Sequence, residues 1–203
     1  MLISDSHRML FVHVQKTGGV SIDRMLRPHI DDLRAVTTRH ATLGRILRAE
    51  PELRAYWTFG FVRNPWVRMV SWWSMIEKWN KFNGPNSGKD LSGKKLNKFW
   101  IAMSDYHDFD EFIARGPDEH RRLRTPQIDF LTTRTRRADF IGRTETFNAD
   151  IRAVLARFNL PMIEAEQHNT SKHGSHEAYY NDATRKRVAD LFAQDIELFD
   201  YTF

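Results

Sequence analysis

The chain of 203 residues has no cysteine, which excludes disulfides, thiolate nucleophiles and thiolate metal sites. It has no apolar run near the roughly 20 residues that a membrane-spanning helix needs, so no membrane span is expected. The opening MLISDSHRMLFVHV holds an apolar stretch of only six residues and no small-residue cleavage site. No signal peptide and a cytoplasmic location are therefore expected. Heptads, internal repeats and low-complexity tails are lacking as well. With 41% hydrophobic and 28% charged residues, disorder, collagen and coiled coil fall away as readings of the whole chain. Single-sign charge is scarce too. Lys+Arg number 31 against 26 Asp+Glu, a net +5 that favours an anionic ligand without choosing among nucleotide, nucleic acid and polyanion.

What is present is an alternation of strand and helix signals over a length that suits one domain. Met9 to Val14 (MLFVHV) is a short apolar run of β-formers, followed at once by the glycine-containing QKTGG. A helix opens at Ser21, with Ile22, Met25 and Leu26 on one face until Pro28 stops it. Tyr56 to Val62 reads as a second strand, Arg63-Asn64-Pro65 as a turn, and Pro65 to Trp79 as a helix started by proline. On that helix Val67, Val70, Ser71 and Ser74 or Met75 recur at helical spacing. Ala138 to Gly142 and Phe147 to Phe158 repeat the pattern, and a last helix spans about Asp182 to Phe199. The expected fold is a single α/β domain with a mainly parallel sheet flanked by helices. Asn80 to Lys98, rich in Gly, Asn, Ser and Lys, reads as a long flexible surface loop.

Two segments carry chemistry. In His13-Val14-Gln15-Lys16-Thr17-Gly18-Gly19-Val20-Ser21, a loop joins a strand end to a helix start. Free N–H groups and the helix dipole there favour an anion. Gly18 and Gly19 allow close backbone approach, Lys16 brings charge, and Thr17 and Ser21 bring hydroxyls. The nucleotide-triphosphate loop GxxxxGK[ST] places its Lys after the glycines, and here Lys precedes them. The second segment, Gly60 to Ser71 (GFVRNPWVRMVS), sets Arg63 at a strand end and Ser71 two helical turns later. A guanidinium fork and a hydroxyl suit a second phosphate. From the residues alone, a nucleotide kinase or NTPase-like enzyme and a noncatalytic polyanion-binding module remain as alternatives, although no nucleic-acid motif is recognised.

FVHVQKTGGVSI followed about forty residues later by FVRNPWVRMVSWW resembles the sulfotransferase superfamily. The similarity is greatest to the branch with carbohydrate sulfotransferases such as the heparan-sulfate 2-O and chondroitin 4-O enzymes. Weaker echoes are FIGRTETF, HNTSK and the ending DIELFDYTF. The resemblance implies 3′-phosphoadenosine 5′-phosphosulfate (PAPS) as donor, with no metal, and a hydroxyl acceptor. That acceptor is expected to be a carbohydrate, possibly an acidic one, with no nucleic acid as partner. It further implies that Lys16, Thr17, Gly18, Gly19, Val20 and Ser21 bind the 5′-phosphosulfate, that Arg63 and Ser71 bind the 3′-phosphate, and that a loop around Ser171 and Lys172 closes over the nucleotide. The family often has proline where Gln15 stands. Proline offers no ligand, so the departure matters little.

Transfer to an alcohol also needs a base. With no cysteine, histidine is the first candidate. His13 lies in the first strand and reads as inward-facing structure. His7, His29 and His120 sit among charges. His40, in Thr37-Thr38-Arg39-His40-Ala41-Thr42-Leu43, stands between the two phosphate motifs just before a helix, where the glycan 2-O enzymes have a catalytic histidine in a similar segment. His40 is the expected base, with His107 and His173 next. Lys16 is also expected to act catalytically, offsetting charge on the leaving phosphate. His173 and His176, three apart with no third ligand, read as a solvated loop rather than a metal site. Two basic groups form either a solvated surface or a rim for an acidic acceptor. One comprises Lys78, Lys81, Lys89, Lys94, Lys95 and Lys98, and the other the arginines from Arg115 to Arg137. Trp72, Trp73, Trp79, Phe82 and Trp100 serve equally as sugar-stacking or packing residues.

Overall fold

The structure, a computed structural model, describes residues 1–88, 97–161 and 175–203. These gather into two compact units, one drawn from residues 1–64 and 126–161, the other from 65–125 and 175–203. The first holds β1 (Leu2–Ser4), β2 (Met9–Val12), α1 (Gly19–Leu26), α2 (Leu43–Ala49) and β3 (Trp57–Val62). The second begins with α3 (Pro65–Asn83) and continues through α4 (Lys98–Met103), α5 (Phe109–Glu119) and α6 (Arg121–Arg124). The chain then returns to the first unit for α7 (Ile128–Leu131), β4 (Phe140–Arg143) and α8 (Phe147–Arg157). It ends in the second with α9 (Asp182–Leu191) and α10 (Ala193–Phe199).

The sheet runs β1-β2-β3-β4, with β1 antiparallel to β2 and the other neighbours parallel, as the strand–helix alternation predicts. On one face Phe11, Phe59 and Phe61 pack against Ile22, Met25 and Leu26 of α1 and Ile151, Val154 and Leu155 of α8. Leu131 of α7 covers Gly60 on the other face. Parallel strands buried on both faces explain why these segments read as continuous apolar runs. The strand β1 was not expected. Three residues are too few to show a period, and Leu2 to Ser4 form a strand because they pair with Met9 to Phe11.

Helix α1 starts at Gly19, two residues before the expected Ser21, because Gly18 already adopts the left-handed conformation that caps it. In the second unit α3 runs to Asn83, and a short 3₁₀ turn at Pro85–Ser87 occupies the start of the stretch expected to be loop. Residues 89–96 of that stretch lie outside those described. The buried face of α3 is Trp66, Met69, Val70, Trp72, Trp73 and Ile76. Val67, Ser71, Ser74 and Met75 are only half-buried. Large aromatic rings have the most apolar area to remove from water, so they claim the core face. The last helix breaks at Phe192 into α9 and α10.

Candidate active site

Parallel strands deliver the loops after β2, β3 and β4 to one edge of the sheet. Val12 pairs with Gly60, and Val62 pairs with Arg143. In α/β sheets this carboxyl edge is where ligands bind. After Val12 the chain leaves the ladder, and Lys16 (φ 69°) and Gly18 (φ 80°) both adopt left-handed conformations. For a lysine this backbone costs about 1–2 kcal/mol, which other contacts must offset. Buried Thr17 supplies one, its hydroxyl donating to the Val14 carbonyl at 3.0 Å. Thr17 thus braces the loop. Gly18 then starts α1, its carbonyl accepting from Ser21 and Ile22. Val20 is exposed on the first turn and Ser21 half-buried behind it.

Arg63 follows β3 directly, and its backbone is clamped from outside. Its N–H donates to Gln127 Oε1 at 2.9 Å, and its carbonyl accepts from Gln127 Nε2 at 2.7 Å. Gln127 is fully buried. The next N–H, of Asn64, donates to Glu145 Oε1 at 2.7 Å. Two amide bonds and one carboxylate bond leave the chain around Arg63 little freedom. The Lys16 ammonium is held down to a pKa of about 8, by burial above all and then by the Arg63 guanidinium. Two half-buried cations repel each other and both favour an anion. Ser71 lies on α3, half-buried, in the second unit.

His40 comes next to the first loop. Its Nδ1 lies 3.1 Å from the His13 carbonyl oxygen. A carbonyl only accepts, so Nδ1 carries the proton, and neutral His40 presents its lone pair at Nε2. The two imidazole rings meet edge-on, 4.5 Å between centroids. His13 is buried and stacks on Phe11. Its pKa falls to about 2, through burial first and then the electrostatic influence of neighbouring His40, so it stays neutral. A Cβ on Gly19 would stand 2.1 Å from the His13 ring. Gly19 is therefore needed for room as much as for backbone approach. Thr42, two residues after His40, caps α2 by accepting from Arg45 N–H.

Lys16, Thr17, Gly18, Gly19, Val20, Ser21, His40 and Arg63 all belong to the first unit. Lys172 and its neighbours lie outside the described residues, as do His168 and His173. His29 and His107 are exposed. His120 packs its ring against Phe99 and Tyr106, and His176 against Phe203. Among the described residues no three His, Asp or Glu side chains could hold a metal ion, and no helix is long and apolar enough to cross a membrane. Arg115 pairs with Glu111 and Glu119, and Arg136 bonds the carbonyls of Arg54 and Tyr56. These two arginines serve the framework. Trp72 and Trp73 are buried, while Trp79 and Trp100 stack on each other. Sequence reasoning passed over Gln127 and Glu145. The one available signal for Gln127 was a polar side chain between Pro126 and Ile128, at the start of the largely apolar IDFL.

A model described as Sulfotransferase family matches residues 1–202. No curated protein matches the chain.

Proposed function

The chain belongs to the sulfotransferase family, and we propose that it moves a sulfuryl group from PAPS to a hydroxyl of a carbohydrate. One observation carries the reading: Lys16 and Arg63 share a cationic strand-end site in the same unit as a histidine whose tautomer is fixed by a backbone carbonyl. The left-handed loop, its Thr17 brace and the paired cations fit a dianionic nucleotide end. Bound there, PAPS supplies an activated sulfur–oxygen bond. His40 Nε2 takes the acceptor's hydroxyl proton as the acceptor oxygen bonds to sulfur. The sulfur–oxygen bond to the 5′-phosphate breaks, and the phosphate oxygen keeps the electron pair. Lys16 offsets that developing charge, an interaction stronger in the transition state than before it. Thr17 to Ser21 frame the phosphosulfate. Arg63 and Ser71 are assigned the 3′-phosphate. The pairing of these two rests on the sequence resemblance, since they belong to different units.

The test is transfer of radiolabelled sulfate from PAPS to a panel of desulfated chondroitin, heparosan, a neutral glucan and p-nitrophenol. Label in a glycan is expected. Label in the phenol alone would remove the carbohydrate assignment. Phosphate transfer from ATP with none from PAPS would move the chain to the kinase-like alternative.

A further inference from the structure

A pocket of about 250 Å³ opens in the first unit beside the histidine pair. Phe11, His13 and Gly19 contribute to its lining, so it shares His13 with the packing that holds His40. Pockets that bury a drug-sized ligand run to roughly 300–1,000 Å³. This one has room for a single ring or one substituent, not a length of chain. Among its lining residues three arginines, Arg27, Arg34 and Arg39, stand against one carboxylate, Asp23.

The three arginines are not equivalent. Arg34 is committed to Asp5 at 2.7 Å and Glu50 at 2.8 Å, two carboxylates outside the pocket lining. Arg27 and Arg39 share Asp23, at 2.9 and 3.4 Å, and their side chains remain 58% and 53% exposed. One carboxylate cannot neutralise two guanidiniums, so one positive charge is left over. Both forks keep open edges of the shape that pairs with a carboxylate or a sulfate ester.

We infer that this pocket is a subsite for one anionic substituent of the acceptor, held by Arg27 and Arg39. It narrows the acceptor class to an acidic sugar, either a uronic acid or one already sulfated. As an acceptor subsite it rests on the reading of His40 as base, because the pocket is lined by His13, whose ring meets that of His40. The binding of the anion itself does not depend on that reading.

The experiment titrates the full chain, saturated with 3′-phosphoadenosine 5′-phosphate, with sodium glucuronate, glucose 6-sulfate and glucose. Resonances of the arginine Nε–H groups and the His13 ring are followed. At least one anion is expected to shift Arg27, Arg39 and His13, glucose to shift none, and the stronger anion identifies carboxylate or sulfate as the group held. The Arg27→Gln/Arg39→Gln double variant should bind the anion about tenfold more weakly or worse, the least expected for charged hydrogen bonds, with the bisphosphate still bound. Asp23→Asn removes the competing carboxylate and should tighten anion binding. It keeps the inference testable if the double variant fails to fold. Equal shifts from glucose and the anions, or anion affinity unchanged in both variants, would overturn the inference. Failure of the bisphosphate to bind wild-type protein would instead overturn the proposed donor, and the anion titration of the protein alone would still read the pocket.

Discussion

At the end of β2 the chain holds its own shape, with left-handed Lys16 and Gly18 and the Thr17 hydroxyl bonded back to Val14, three residues away. At the end of β3 the shape is imposed from elsewhere, by Gln127 and Glu145, 64 and 81 residues distant. Both junctions present a cation at the same sheet edge. They should fail differently. A loop that braces itself against its neighbours is sensitive to added atoms, since close packing leaves no room to yield. A loop clamped by distant side chains is sensitive to atoms removed.

The largest effect is expected at the histidine beside the first junction. His40→Ala should still fold and bind the bisphosphate yet lose at least about 10²-fold in turnover, the lower end for general-base catalysis. The wild-type rate should fall toward acid pH as His40 protonates. A variant that turns over unimpaired would move the base elsewhere. Gly19→Ala comes next. Its methyl would meet the His13 ring at 2.1 Å, and overpacking of this kind costs about 1–3 kcal/mol. Displacing His13 moves the carbonyl that orients His40, so turnover should drop more than stability alone explains. Chemical denaturation and kinetics on the same preparation separate the two.

At the second junction Gln127→Ala should destabilise the fold by about 1–3 kcal/mol, because it takes the partner from a part-buried backbone donor and acceptor. Its effect on bisphosphate affinity should exceed its effect on turnover at saturation. The smallest effect is a proton count. The Lys16 pKa of about 8 lies below the ordinary 10.5. The folded chain without ligand therefore disfavours the charged form, and it gains stability as pH rises from about 8 toward 10.5. Bound phosphate reverses that preference. Calorimetry in buffers of different ionisation heat should show proton uptake on binding between pH 8 and 9, absent in Lys16→Met.

The contrast between the junctions also explains what the sequence made legible. The first junction is local: strand, lysine, two glycines and helix fall within about ten residues, and their chemistry can be read from spacing. Arg63 was legible for the same reason, standing between an apolar run and a proline. Its clamp was not, because nothing in the sequence near Gln127 or Glu145 points back across such distances. His13 was correctly expected to face inward. That its ring fills the space over Gly19 and its carbonyl fixes the His40 tautomer depends on three segments meeting. On α3, Trp72 and Trp73 read equally as packing or sugar-stacking residues and are buried, whereas Trp66 and Met69 were passed over because a smaller apolar set recurs at similar spacing and ring area decides between the two.

The central claim is that the two cationic junctions receive the two ends of one bisphosphate nucleotide. Calorimetric titration of 3′-phosphoadenosine 5′-phosphate and AMP into wild-type protein and Arg63→Ala tests it most directly. The bisphosphate should bind wild-type protein at least about tenfold more tightly than AMP, as a charged hydrogen bond of roughly 1.5–3 kcal/mol requires. In Arg63→Ala that advantage should largely vanish while AMP affinity changes little. AMP binding wild-type protein as tightly as the bisphosphate would contradict it.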